Sequence, residues 1–170
     1  MSGNDSIDFI VDDGFVYINS SHAGPHHGPQ ANTLSGLGGY GESSTGAHSE
    51  SGCVNCHMGD ATETAGGHTF AANLANCTTC HTSGDMDSFM GEYQDGISVR
   101  LLAIAEALVV ANALSVDEEE GYHPNKGLVT DDIFKAFWNY MMVDEDHSHG
   151  IHNPEYFNTL LTTAETLLGL

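Results

Sequence analysis

Basic side chains are almost missing from this sequence: Lys and Arg together number 3, Asp and Glu number 24, and the formal net charge is −21. A nucleic-acid-binding surface neutralises phosphate groups with Lys and Arg, so this composition excludes nucleic acid as a partner. Adhesion to an anionic membrane surface depends on clusters of the same side chains and is excluded as well. Such a charge keeps a protein soluble but makes its copies repel one another.

Long uninterrupted apolar runs are also missing. The longest run, residues 97–114, contains Arg100 and Glu106, and charged residues are costly inside a bilayer. We therefore expect no membrane span. The first ten residues contain neither a basic region nor a long apolar run, which a secretion signal requires. If the protein has a signal, we expect it to be cleaved or to lie outside this numbering.

Residues 20–96 have few large apolar side chains and are rich in Gly, Ser, Thr and Asn. A segment of this kind buries too little apolar surface to offset its ordering entropy. We expect it to need an internal filler, such as a metal, disulfides or a large cofactor. Before it, residues 7–19 contain two short apolar runs around Asp12-Asp13-Gly14, and Asp-Gly between such runs predicts a β-hairpin.

Residues 97–170 have the apolar periodicity of helices. The pattern predicts one helix over 97–114, then a loop in the acidic stretch SVDEEEGYHPNKG. A second helix is predicted from Thr130, where Thr is a good N-cap and the two following aspartates suit the helix dipole. A third is predicted from Asn153, with Pro154 at its first position. Its expected apolar stripe is Tyr156, Phe157, Leu160, Leu161, Ala164, Leu167 and Leu168.

The four cysteines all lie in two Cys-x-x-Cys-His motifs, 53–57 and 77–81. A four-cysteine zinc site uses a spacing close to this one, but it has no use for the histidine that follows each pair. Disulfides are possible in an exported protein, but paired Cys-x-x-Cys loops are more typical of redox or attachment chemistry. A zinc-ribbon interaction module therefore remains only as an alternative.

Cys-x-x-Cys-His is the attachment motif of c-type haem, in which the two thiols bond to the porphyrin and the histidine binds the iron. The motifs predict two haems c, each a large apolar group that fills the segment 20–96. For the first haem, the predicted residues are Cys53, Cys56 and the proximal ligand His57. For the second, they are Cys77, Cys80 and the proximal ligand His81.

The predicted fold is a mostly irregular, haem-packed N-terminal part with a short β-hairpin, followed by about three α-helices. Residues 1–96 would form the hairpin and the dihaem segment. Residues 97–170 would form a helical part that packs on the haems, so that the whole is one compact domain.

Two irons leave two distal positions, for which the chain offers histidine or methionine. Met58 follows His57 directly and cannot reach the opposite face of that haem, while Met141 and Met142 have the spacing of helix core. Nine histidines remain outside the motifs, so two histidines per iron is the favoured arrangement. They are His22, His26, His27, His48, His68, His123, His147, His149 and His152.

The stretches AHSESGCVNCHM, GGHTF and CTTCH, followed by GIHNPEYFNTLL, resemble the C-terminal part of multihaem c-type cytochromes. That group includes pentahaem nitrite reductases, octahaem relatives and extracellular multihaem electron carriers. The upstream stretch SSHAGPHHGPQANTLSGLGGYG is similar to the segment before this module, so the resemblance spans about residues 20–168. It implies a multihaem cytochrome c-like fold.

The resemblance also implies distal ligands: His48 for the second haem and His152 for the first. In such proteins, a histidine placed like His68 binds a further haem that this chain lacks. The resemblance implies that one of His22, His26 and His27 corresponds to a ligand of such a further haem as well. These histidines would then either bind no haem or bind a haem of a neighbouring copy. His123, His147 and His149 are expected to be solvated loop residues.

We expect an electron carrier with no catalytic residues, because irons bound by two histidines cannot take up a substrate. The competing hypothesis is a reductase of small nitrogen or sulfur oxyanions. Nitrite-reducing relatives bind substrate at a haem whose motif ends in Lys, but only Lys126 and Lys135 occur here, both outside the motifs. The expected location is periplasmic or extracellular. The expected partners are redox proteins or extracellular acceptors, and copies of the chain itself in a head-to-tail filament.

Overall fold

The computed structural model describes residues 11–25, 27–82, 84–117 and 121–170. The helices in chain order are α1 (Gln30–Leu34), α2 (Ala47–His57), α3 (Leu74–Cys77), α4 (Met86–Val110), α5 (Asp131–Asp144) and α6 (Pro154–Leu168). The strands are β1 (Val11–Asp12), β2 (Phe15–Ile18), β3 (Leu114–Asp117), β4 (Gly121–Pro124) and β5 (Gly127–Thr130). None of these helices has the length and apolar character needed to cross a bilayer.

The predicted hairpin is confirmed over 11–18. Strands β1 and β2 pair antiparallel, with Asp12 opposite Phe15. Asp13 and Gly14 between them both have positive φ, 48° and 83°, as the tight hairpin turn requires. β2 also pairs with β5, which joins the hairpin to the start of α5. Residues 7–10 of the prediction lie outside the described residues.

The prediction of a helix over 97–114 is wrong at both ends, since α4 runs from Met86 to Val110. Its first part was missed although Met86, Met90 and Tyr93 have helical spacing, because Gly91 and Gly96 have low helix propensity. None of residues 86–96 is buried in the structure. Asp85 begins the helix by accepting a hydrogen bond from the Asp87 N–H. Asn112, with φ 61°, ends it in the left-handed conformation common after helix C-termini.

The loop predicted after α4 is also wrong. Strands β3 and β4 pair antiparallel there, from Leu114 opposite Pro124 to Asp117 opposite Gly121. The residues Leu114-Ser115-Val116-Asp117 do alternate between apolar and polar, but the run is only four residues long and leads into the acidic stretch, so it was not recognised as a strand. In the structure only Leu114 of this strand is buried. The acidic residues 118–120 lie outside the described residues.

The two C-terminal helices begin as predicted. The Thr130 hydroxyl accepts from the Ile133 N–H at the start of α5, and the Asn153 side chain accepts from the Tyr156 N–H at the start of α6. α5 and α6 pack against each other and against α4, and burial runs through Met141 and Met142 as expected. The largest buried side chains of this core include Phe137, Tyr156, Phe157, Ile104, Leu108, Leu160 and Leu161.

Polar side chains of α5 and α6 bind the backbone of the glycine-rich segment. Asn139 accepts from the Tyr40 N–H at 2.7 Å and donates to the Tyr40 carbonyl at 2.7 Å. The Trp138 indole donates to the Gly38 carbonyl at 2.8 Å. A Cβ on Gly39 would lie 2.4 Å from Leu160 Cδ2, so only glycine permits this close approach. The segment thus obtains backbone partners that it cannot supply itself.

We predict that Asn139→Leu lowers the free energy of unfolding by about 1–3 kcal/mol, because the part-buried backbone groups of Tyr40 and the buried Leu160 carbonyl lose hydrogen bonds. Denaturant unfolding followed by circular dichroism measures this loss. The matched control is Asn158→Leu on the exposed side of α6, expected to cost less than about 1 kcal/mol. Equal losses in both variants would contradict a specific role for Asn139.

Candidate haem centres

The four cysteines lie on two short helices and the turns that follow them. Cys53 and Cys56 are in the second half of α2, and Cys77 is the last residue of α3. The turn after α3 returns the chain, because the backbone N–H groups of Cys80 and His81 both donate to the Cys77 carbonyl, at 3.2 and 2.8 Å. All four thiols are free and are exposed or half-buried.

The two motifs lie beside each other. The Asn73 N–H, at the start of α3, donates to the Cys56 carbonyl at 3.2 Å. Burial, and then the nearby thiols of Cys77 and Cys53, raise the pKa of Cys56.

A zinc centre finds no support in the part of the chain that the structure describes, which includes all four cysteines. No group of three or more His, Cys, Asp or Glu side chains there is arranged to hold a metal ion. A haem needs no such group, because the porphyrin nitrogens already occupy the four equatorial positions of the iron. The protein has only to supply the axial ligands and the thiols.

Each motif histidine faces a second histidine. The ring centres of His57 and His152 are 6.2 Å apart, and those of His48 and His81 are also 6.2 Å apart. Since a bond from a metal to a histidine nitrogen is about 2 Å long, two imidazoles on opposite sides of one metal have ring centres about 6 Å apart. Both pairs therefore have the ring spacing at which two histidines would hold one iron between them.

The Nδ1 nitrogens of three of these rings have hydrogen-bond acceptors. His48 Nδ1 donates to the Ile151 carbonyl at 2.6 Å, and His57 Nδ1 donates to the Phe70 carbonyl at 2.7 Å. His152 Nδ1 lies 2.8 Å from Asp146 Oδ2. A proton on Nδ1 leaves the lone pair on Nε2, the tautomer that a metal-binding histidine needs.

A break in α2 separates His48 from the motif that follows it. Gly52 has φ 66° and ψ 174°, a conformation open essentially only to glycine. The chain changes direction there, so that His48 lies next to His81 while Cys53–His57 forms the other centre. If α2 were continuous, His48 and Cys53 would instead lie on one straight helix.

Asp146 is the acidic residue of the first candidate centre, which consists of Cys53, Cys56, His57 and His152. Its side chain is fully buried, while that of His152 is 22% exposed. The carboxylate accepts hydrogen bonds from His152, from the Thr33 hydroxyl and from the backbone and hydroxyl of Ser148. Burial by itself raises the pKa of Asp146, but hydrogen bonds from His152, Ser148 and Thr33 outweigh it and hold the pKa below its usual value.

The other candidate histidines do not belong to these pairs. His68 is exposed in the 3-10 helix Gly67–Thr69. His22 and His27 are exposed, with ring centres 6.4 Å apart, and His27 contacts Glu145 at 3.0 Å. His26 lies outside the described residues.

Of the three histidines expected in solvated loops, two lie there. His147 and His149 are exposed, with positive φ, and His149 is 3.0 Å from the Ser98 hydroxyl. The expectation for His123 is wrong, because it is half-buried in β4 opposite Ser115. The sequence predicts a loop for the stretch that contains His123, whereas the structure has β4 there.

Sequence reasoning missed Asp146 and the carbonyl groups of Phe70 and Ile151. The stretch VDEDHSHGIH contains Asp144, Glu145 and Asp146 in a row, and nothing in it shows which of the three is buried. Backbone acceptors have no sequence signal at all. These groups are recognised only from their contacts.

Two haem-attachment motifs, each with its histidine opposite another histidine, define a multihaem protein of the c-type cytochrome class. The cytochrome c552 family matches residues 39–167, which contain both motifs and both histidine pairs. The chain belongs to the cytochrome c552 family, and its two motifs fit two haems c.

Among solved structures, the chain is similar to the outer cell wall cytochrome OcwA. The TM-score is 0.59 at 23% sequence identity, over 88% of this chain and 32% of OcwA. The chain thus spans about a third of that cytochrome's length, and the similarity shows a shared multihaem cytochrome fold. No curated protein matches the sequence.

We predict two covalent haems in protein produced by a host that has a haem-attachment system. Its intact mass should exceed that of the polypeptide by two haem groups after denaturation. Replacing Cys77 and Cys80 together by Ala should remove one haem, because thioether bonds alone survive unfolding. A denatured mass equal to the bare polypeptide would contradict the attachment.

Proposed function

We propose that the protein is a two-haem electron carrier in which each iron is bound by two histidines. The observation that supports it is the pair of opposed rings at each attachment motif, His57 with His152 and His48 with His81, at one common spacing. A bound haem supplies a reversible one-electron couple at its iron.

With haem bound, each pair of histidines would supply both protein ligands of one iron. Carbonyl groups of Phe70 and Ile151, and the carboxylate of Asp146, hold three of the four rings at Nδ1. Such contacts fix the orientation and tautomer of a ligating ring. Filled positions exclude exogenous ligands, so binding and reduction of a substrate at the iron are disfavoured.

The competing function, a reductase of small oxyanions, has less support. Lys126 lies between β4 and β5, away from either motif in sequence, and Lys135 forms an ion pair with Asp131 on α5. Both motif histidines have an opposite histidine. No described residue therefore marks an open position in the manner of a substrate-binding haem.

We predict a purely low-spin optical spectrum for the oxidised protein, unchanged by nitrite, and a reduced protein that does not bind carbon monoxide. His48→Ala should convert one of the two haems to a high-spin form that binds carbon monoxide, because its iron loses an axial ligand. Absorption and electron paramagnetic resonance spectra measure this change.

The matched control is His68→Ala, which should keep the low-spin spectrum because exposed His68 is in neither pair. A high-spin signal in the unmodified protein would contradict the carrier and favour the reductase. If His68→Ala, rather than His48→Ala, created the high-spin haem, the assignment of His48 would be wrong.

We place this carrier outside the cytoplasm, because haem is attached to such motifs there and the related fold belongs to an outer cell wall cytochrome. Cys53 and Cys80 are exposed, so the attachment sites reach the surface where a redox partner or an extracellular acceptor can approach. A net charge of −21 favours a partner with a cationic face.

Assembly of copies into a filament is a further part of the proposal. Exposed His22 and His68 lie outside the two pairs, so their side chains are available for contacts with the surface of a neighbouring copy, whose irons would already have two histidines each. Repulsion between copies of charge −21 opposes such contacts, and salt screens that repulsion. Assembly should therefore increase with ionic strength.

We predict filaments in electron micrographs of concentrated holoprotein at high ionic strength, and shorter or fewer filaments after His22→Ala or His68→Ala. His149→Ala is the control, because its ring already contacts Ser98 within the chain. Discrete particles at every concentration and salt level would contradict the assembly.

A further inference from the structure

The two proposed haem centres differ in what binds their histidine rings. In the first, both rings have an acceptor: the Phe70 carbonyl at 2.7 Å from His57 and the Asp146 carboxylate at 2.8 Å from His152. In the second, His48 has the neutral Ile151 carbonyl. No described residue hydrogen-bonds the ring of His81, which is exposed beside the Phe89 ring at 6.1 Å. One centre thus has an anionic acceptor and the other has only a neutral one.

Among the described residues no Arg or Lys side chain contacts Asp146, and its ion-pair partner His152 is charged only when protonated, which a metal-bound imidazole is not. Among the described residues, Arg100 pairs with Glu165 and Lys135 pairs with Asp131, and the groups that contact the carboxylate are His152, Ser148 and neutral Thr33. A fully buried anion is costly unless positive charge lies nearby. Positive charge on a metal bound to His152 would meet that need.

An anion behind a ligating imidazole affects the two oxidation states of the metal unequally. A carboxylate that accepts the Nδ1 proton makes the ring a stronger donor. The stronger donor and the negative charge both favour the more positive, oxidised iron. The interaction is little screened, because the carboxylate is buried.

We propose that Asp146 lowers the reduction potential of the haem at Cys53 and Cys56 below that of the haem at Cys77 and Cys80. This inference rests on the proposed function, since it requires His152 and His57 to bind the same iron. One electron leaves the first centre and the same electron reduces the second, with no bond made or broken. An electron that enters the pair therefore resides mainly at the centre of His48 and His81.

Asp146→Asn in the complete holoprotein tests the inference. The amide keeps an oxygen that can accept from His152 Nδ1, so the change removes the charge and largely preserves the contact. In a spectroelectrochemical titration, the lower of the two reduction steps should shift upwards. The redox equilibrium constant of that step should change about tenfold, which is 59 mV for one electron.

Two further variants separate the proposed effect from general ones. Asp144→Asn removes the same charge two positions away, on an exposed side chain that ends α5, and should shift either step much less. Thr33→Val removes one donor from the Asp146 carboxylate, so that more of its charge acts on His152. The lower step should then shift downwards, opposite to the shift in Asp146→Asn.

The outcomes distinguish this inference from the function on which it rests. Two low-spin haems with an upward shift of the lower step only, visible in one of the two electron paramagnetic resonance signals, support it. If Asp146→Asn keeps two low-spin haems but both of its reduction potentials shift equally, or neither shifts more than in Asp144→Asn, the inference is wrong and the proposed function still stands. If Asp146→Asn fails to bind haem, Thr33→Val becomes the test. An unchanged or raised potential of the lower reduction step in Thr33→Val would then overturn the inference. High-spin or haem-free unmodified protein overturns both.

Discussion

Both histidine pairs depend on the short loop between α5 and α6. Its Ile151 carbonyl accepts from His48, its Asp146 carboxylate accepts from His152, and the Asn153 side chain donates to the Ser44 carbonyl at 2.7 Å. The loop therefore contacts one ring of each pair and also the segment that leads into α2. Because α5 and α6 pack through fully buried side chains, the ends of this loop are held in place. The geometry of the two centres follows from that packing.

The helices and residues 20–81 are stabilised by different interactions. The helices bury most of the apolar side chains, while residues 20–81 contribute few, such as Ala23. That segment is held instead by hydrogen bonds from Trp138, Asn139 and Asn153 to its backbone. Haem groups bonded to it would add the apolar surface that it lacks, and the four exposed or half-buried cysteines are consistent with such a role.

The parts of the fold that could be predicted have local physical signals. Asp-Gly between apolar runs, Thr130 before two aspartates, and Asn153 before proline each satisfy backbone groups within a few residues. The errors occurred where burial is set by distant contacts. The first half of α4 has no buried residue, and β3 has a single one at its end. Apolar residues at regular spacing do occur in both, at Met86, Met90 and Tyr93 and at Leu114 and Val116. These runs are short or interrupted by glycine, so their spacing alone did not identify the two elements.

The sequence by itself determined the chemistry at 53–57 and 77–81, because attachment of haem depends on residue types at fixed local spacing. It also determined the acidic surface and the caps of the last two helices. The resemblance to multihaem cytochromes implied the pairs His48 with His81 and His57 with His152, and the structure brings the rings of each pair to 6.2 Å. Only the tertiary structure decided that Asp146, rather than Asp144 or Glu145, is buried behind His152. These contacts join residues far apart in the chain, and their distances depend on how α1, α2 and the α5–α6 loop pack together.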